Sequence, residues 1–203
     1  MSFAPYPDAA QPAPPSEPAL PALRPSLQFD PAVLLRAQGI RVVFFDIDGV
    51  LTDGGLYFSD AGETLKRFHS LDGHGIKLLQ RAGIEVAIVS GRDSAPLRAR
   101  LHGLGVTQLR LGQEHKLPAA DALLAELGLG WHEVAAMGDD WPDLPLLRRC
   151  ALAVAPPQAH PEVRQVAHHT TLAAGGHGAA RELCDLLLVA SGHYARLLQE
   201  AGA

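Results

Sequence analysis

Cysteine is nearly absent from this 203-residue chain. Cys150 and Cys184 alone cannot build a disulfide framework, so both are expected to be buried thiols in a reducing cytoplasm. Basic charge is also short: 17 Lys and Arg face 22 Asp and Glu, a net charge of −5. A nucleic-acid binder or a protein of anionic membrane surfaces would need a basic face, so neither partner is expected. No apolar run approaches the ~20 residues of a membrane span. The opening MSFAPYPDAAQPAPP lacks the charged-then-apolar layout of a signal peptide. Lysine is the scarcest charge of all, with only Lys66, Lys77 and Lys116 beside 14 arginines. A lysine at a site of chemistry therefore stands out.

What is present reads as one domain, at ~150 residues per domain, with an appendage. Nine of the 16 prolines fall in the first 31 residues. Residues 1–28 are Pro/Ala-rich without periodicity and are expected to be a disordered tail, leaving 29–203 as the folded domain. Order begins at FDPAVLLRAQG, where Asp30 suits an N-cap and Pro31 the first helical position. RVVFFD (41–46) is a short, continuously apolar run, the pattern of a strand buried on both faces. Further strands are expected at 85–90, 108–111, 134–138 and 151–155. Helices are expected at 73–81, 94–104, 116–127, 142–149 and 178–190, the last continuing toward Gln199. This alternation predicts an α/β fold with a doubly wound, mostly parallel sheet. Residues 52–68 interrupt it as a β-hairpin around the turn SDAG.

Two acidic clusters end predicted strands. Asp46 closes the first strand, with Asp48 and Gly49 following. Asp139, Asp140 and Asp143 follow the strand near Val134. An Asp-x-Asp-Gly by itself is an ordinary turn. At the carboxyl edge of an apolar strand it makes a negative pocket where open α/β sheets place ligands. Like charges so close need a cation or raised pKa values. If the two strands are neighbours, Asp46, Asp48 and Asp139 converge on a hard divalent ion, Mg²⁺ by preference. Ser90, Gly91 and Arg92 sit at another strand-to-helix turn, where a hydroxyl and backbone N–H groups can bind phosphate oxygens. Lys116 opens a helix at the same edge.

The order Asp-x-Asp-Gly, Ser at a strand end, Lys, then Gly-Asp-Asp-x-x-Asp resembles the haloacid dehalogenase-like phosphohydrolases over residues 30 to about 190. DGVLTDG (48–54), FHSLDGHGI (68–76), SGRDS (90–94) and GGHGAARE (175–182) resemble, within that superfamily, the phosphatases of 3-deoxy-D-manno-octulosonate 8-phosphate. The resemblance implies Asp46 as nucleophile and Asp48 as general acid and base. It implies Mg²⁺ held by Asp46, the Asp48 backbone carbonyl and Asp139, with Asp140 and Asp143 in support. Ser90, Gly91 and Lys116 would fix the phosphoryl group, Arg92 would meet an anion of the sugar acid, and Lys66 and Arg67 on the hairpin could reach a neighbour's ligand. Asp72 and His74 would serve a helix start as much as a ligand. Arg181 with Gly175, Gly176 and Gly178 would form a mobile segment near the site. The 42 positions between Asp48 and Ser90 hold a hairpin but no cap domain. The resembling enzymes form homotetramers in which the hairpin covers a neighbour's site, and the apolar Leu56, Tyr57 and Phe58 suit such an interface. Two alternatives stay open: a phosphatase of a nine-carbon ulosonate phosphate or of sugar phosphates broadly, and a non-catalytic oligomeric partner of a sugar nucleotidyltransferase.

Overall fold

The computed structural model describes residues 22–202. Most of the expected tail, residues 1–21, lies outside them. Residues 22–28 form no helix or strand and are exposed. The first helix, α1 (Pro31–Ala37), starts as its sequence dictates: the Asp30 side chain accepts from the Ala32 N–H at 2.7 Å, with Pro31 at the first position.

β1 (Val42–Phe45) is buried on both faces. It lies at the centre of a six-stranded sheet, hydrogen-bonded in parallel to β4 (Glu85–Val89) on one side and β6 (Val134–Met137) on the other. β5 (Gln108–Arg110) extends the sheet beyond β4, and β7 (Leu152–Ala155) and β8 (His169–Thr170) extend it beyond β6. The chain thus winds outward from β1 through β4 to β5, crosses back, and winds outward on the opposite side. That reversal puts a crevice at the carboxyl ends of β1, β4 and β6. Side chains alternate along β1: Val43 and Phe45 face a core with α2 (Ser70–Arg81), α3 (Ala95–Leu104) and α7 (Ala179–Ala190), while Val42 and Phe44 face α4 (Lys116–Leu127), α5 (Leu144–Leu147) and α6 (Pro161–Val166). The hairpin is β2 (Tyr57–Ser59) and β3 (Gly62–Leu65), and its turn uses Gly62 at φ +96°.

Several boundaries differ from the sequence expectation. α2 begins at Ser70 rather than Gly73, because its glycines are packing positions. A Cβ on Gly75 would lie 3.0 Å from Cys184 Cβ and from Arg181 Cδ, both on α7. The expected helix over 142–149 divides into a 3₁₀ turn, Trp141–Asp143, and the single turn α5. Pro142 and Pro145, three apart, each remove an N–H from the helical ladder. The last helix does not continue: it stops at Ala190, Gly192 turns at φ +76°, and a separate α8 (Tyr194–Ala201) follows. α6, β8 and a 3₁₀ turn at Trp131–Glu133 were not anticipated; each is short. Cys150 and Cys184 are both buried and free, as expected.

The α2–α7 contact also answers the doubt about Asp72. It is 2% exposed, and its Oδ1 accepts the Arg181 N–H at 2.8 Å. A side chain of α2 therefore caps the amino end of α7, directly after the glycine-rich segment 175–178. Replacing Asp72 by Ala should cost about 1–3 kcal/mol, as expected for loss of a buried cap. Urea denaturation should show the midpoint falling with an unchanged slope.

Candidate active site

Asp46 leaves β1 with its N–H donated to Met137 O at 3.1 Å, so the two strands deliver their acids side by side. The chain then turns sharply. Ile47 O accepts the N–H groups of Val50, Leu51 and Thr52 at 3.2, 2.9 and 2.9 Å. Gly49 adopts φ +86°, and a Cβ there would lie 2.0 Å from Asp139 Oδ2. The glycine of Asp-x-Asp-Gly is thus required twice, by its backbone angle and by the acid of the neighbouring strand. Gly138 has a similar duty, since a Cβ there would meet Asp143 Cβ at 2.3 Å.

Lys116 is 4% exposed at the start of α4. Its Nζ lies 2.7 Å from Asp46 Oδ1 and 2.6 Å from Asp143 Oδ1. The other Asp143 oxygen accepts from the N–H groups of Asp139 and Asp140 at 3.0 and 3.3 Å. Asp143 therefore orients both Lys116 and the Asp139 loop. Carboxylate oxygens of Asp46, Asp139 and Asp143 lie within 4.8 Å of one another. One ammonium leaves these three acids under-neutralised. Burial, and next the Asp143 charge, push the Asp46 carboxyl up to about 6 despite Lys116. Burial, then Asp46 and Asp143, push Asp139 up to about 8. Burial alone would loosen the Lys116 proton, but Asp46 and Asp143 outweigh it and hold that proton more tightly than usual. Hard oxygen donors whose ionised forms are disfavoured by burial and by one another, as at Asp46 and Asp139, are suited to a divalent cation such as Mg²⁺.

Asp48 stands apart from that cluster. Its Oδ1 contacts Lys66 Nζ at 2.5 Å, and its Oδ2 lies 3.5 Å from Arg92 Nε. Its carboxylate is thus not among the oxygens gathered for a cation. Ser90 directly follows β4, is 2% exposed, and accepts the Arg92 N–H on Oγ at 3.3 Å. Ser94 holds the N-cap position of α3, but its side chain makes no capping hydrogen bond. Asp46, Asp48, Ser90, Gly91, Arg92, Lys116 and Asp139 all line one open cavity of about 630 Å³.

Lys66 departs from the place its sequence position suggests. Its ammonium is wholly buried against Asp48 and Glu63 of its own chain and cannot reach outward to a neighbour's ligand. The reason is electrostatic: two carboxylates of the same chain lie closer than any exposed partner. Arg67 is nearly half exposed and pairs with Asp53 at 3.3 Å. The segment expected to be mobile is packed instead. Cβ atoms on Gly175 and Gly176 would come within 1.9 Å of Gly49 O and 2.4 Å of Asp53 N. Gly176 N–H donates to Val50 O at 3.0 Å, and the Arg181 side chain is tied to Asp185 at 2.8 Å. Gln158 was not foreseen: its amide donates to Gly49 O at 2.8 Å and accepts from Gly175 N–H at 3.2 Å. A lone Gln in a loop carries no signal of that bridge. Glu114 also lines the cavity.

The central-strand acid pair, the lysine and the acid of the adjacent strand define a hydrolase of the haloacid dehalogenase-like class, and residues 112–183 match the haloacid dehalogenase-like hydrolase family. The chain is 44% identical over 160 residues to the 3-deoxy-D-manno-octulosonate 8-phosphate phosphatase of Escherichia coli strain K12, covering 79% of this chain and 85% of that protein. The crystal structure of the Yersinia pestis phosphatase of the same name superposes with a TM-score of 0.79 at 43% identity, covering 81% of this chain and 89% of that one. The Moraxella catarrhalis phosphatase, solved in complex with magnesium ion, phosphate ion and KDO, gives a TM-score of 0.81 at 33% identity, covering 84% and 98%. This chain belongs to the 3-deoxy-D-manno-octulosonate 8-phosphate phosphatase family.

The raised Asp139 proton affinity has a measurable sign. Between about pH 4 and about 8 the folded, metal-free protein holds a proton that the unfolded chain releases, so this contribution to stability is lost as pH rises through that window. Thermal melts without metal should show Asp139→Asn gaining on wild type as pH increases. Added Mg²⁺ should raise the wild-type midpoint and leave the variant's nearly unmoved.

Proposed function

We propose that this chain hydrolyses 3-deoxy-D-manno-octulosonate 8-phosphate to the free sugar acid and phosphate, with Mg²⁺, in the cytoplasm. The observation that carries the reading is the half-buried pair Asp46 and Asp139 with the buried Lys116, and Asp48 beside them on the wall of the same cavity. Among the described residues no helix is long and apolar enough to cross a membrane.

Asp46 is the nucleophile. Its carboxylate attacks phosphorus, the bond from phosphorus to the sugar oxygen breaks, and Asp48 gives that oxygen its proton. Water then attacks the aspartyl-phosphate, Asp48 takes the water's proton, and phosphate leaves with Asp46 restored. Lys116 holds Asp46 in place and neutralises charge on the phosphoryl oxygens. Ser90 and the Gly91 backbone bind those oxygens, and Arg92 at the exposed wall meets an anion of the substrate. Asp46, Asp139 and the Asp48 backbone would hold Mg²⁺, which would supply charge neutralisation to the transferring group. The tenfold-or-larger effects that single groups have in such sites come from positioning and charge.

The hairpin supports a homotetramer. Leu56, Tyr57, Phe58 and Leu65 are 42%, 43%, 62% and 55% exposed, so this apolar face does not fold back on its own subunit. Covering a neighbour's open cavity would bury it and exclude water from the reaction.

Asp46→Asn should abolish phosphate release from the octulosonate phosphate while circular dichroism stays native. EDTA should silence the wild type and Mg²⁺ restore it. Appreciable turnover by the variant, or turnover without metal, would sink the assignment. Relative turnover of eight- and nine-carbon substrates separates the two sugar acids. Light scattering should report a tetramer, and Phe58→Asp should yield smaller species with lower activity; a fully active monomer would refute the shared cover.

A further inference from the structure

Lys66 follows directly on β3 and breaks the pattern of its hairpin. Around it Tyr57, Phe58 and Leu65 face solvent, yet its own side chain has no exposed surface. A surface lysine ordinarily runs its stem along the protein and returns the ammonium to water. Burying that ammonium costs several kcal/mol unless partners replace the water. Here two carboxylates do so: Asp48 Oδ1 at 2.5 Å and Glu63 Oε1 at 2.6 Å. Glu63 lies three residues back on the same hairpin and is nearly buried; its Oε1 forms this ion pair with Lys66 but makes no hydrogen bond.

Asp48 is consequently held differently at its two oxygens. Oδ1 is fixed from the dry side by Lys66. Oδ2 faces Arg92, whose side chain is 45% exposed and lines the cavity. We infer that Lys66, braced by Glu63, is a positioning residue that pins Oδ1 of Asp48 and leaves Oδ2 as the oxygen that handles the proton of the leaving group. The hairpin is then part of the catalytic apparatus of its own chain, in addition to any cover it gives a neighbour. The inference rests on the phosphatase reading above. As the phosphorus–oxygen bond breaks, its electron pair stays on the sugar oxygen and the Oδ2 proton moves there. In the second half Oδ2 takes the proton of the attacking water. Lys66 keeps its protons throughout.

The test exploits leaving-group chemistry. A sugar alkoxide needs a proton to depart, whereas p-nitrophenolate does not. Full-length, Mg²⁺-loaded wild type, Lys66→Met and Glu63→Gln are compared in single-turnover phosphoryl transfer from the octulosonate phosphate and from p-nitrophenyl phosphate. Lys66→Met should slow the sugar substrate about 30-fold, within the range of lost general-acid catalysis, and the aryl substrate less than about 3-fold. The steady-state KM for the sugar substrate should stay within about 2-fold, since ground-state binding is untouched. Glu63→Gln should show a smaller loss with the same preference, and Lys66→Arg should recover part of it. A raised KM with intact kcat would make Lys66 a substrate contact and overturn the inference. So would equal losses on both substrates, or no loss. If Lys66→Met fails to fold, the sugar-to-aryl ratio of Glu63→Gln decides. A wild type inactive on the octulosonate phosphate would instead refute the functional reading; the same ratio, taken on any alkyl phosphate it does hydrolyse, still judges Lys66.

Discussion

Three carboxylates, Asp46, Asp139 and Asp143, crowd within 4.8 Å with Lys116 as the ammonium that answers them. The rest of the site is arranged around keeping them there. Crowding like charges in a half-dry crevice is unfavourable, and the strands force it, because the β1–β6 ladder sets Asp46 and the Asp139 turn side by side. Lys116 offsets part of the repulsion, and two backbone N–H groups fix Asp143. What remains is an excess of negative charge that protons or a divalent cation can neutralise. The fold thus stores, at the switch point of its sheet, the electrostatic demand that the proposed reaction would use.

That demand would be useless if the loop after β1 could relax. It is held from several directions. Gly176 bonds Val50, Gln158 bridges Gly49 to Gly175, and Gly175 touches Gly49 without room for a side chain. Asp72 caps α7 just beyond, so the carboxyl-terminal third of the chain clamps the loop that carries Asp48. Glycines separated by more than a hundred residues therefore serve one contact. Gly175 and Gly176 must lack a Cβ because backbone meets backbone there, and Gly49 because its Cβ would meet the Asp139 carboxylate.

Much of this was legible in the residue order. Buried parallel strands announce themselves as continuous apolar runs, and β1, β4 and β6 appeared within a residue of their expected bounds. Acids and a serine at their carboxyl ends follow from the same reading, since strand ends are where an open sheet binds ligands. Short elements were not legible: α6 and β8 have too few residues to show a period, and the prolines of the 142–149 segment hid a 3₁₀ turn inside an apparent helix. Gly73 and Gly75 misled in the opposite sense, looking like a helix start while serving close packing inside α2.

The sequence by itself determined which acids and which lysine gather at one sheet edge, because that depends on local pattern and residue type. Only the tertiary structure decided which way the long side chains turn and what touches what across the fold. Lys66 could face a neighbour or its own Asp48, and the choice rests on the through-space pull of two carboxylates brought near by the hairpin's path. Residues 175–176 could be loose or clamped, and the choice rests on a backbone contact with residues 49–53 that no local pattern encodes.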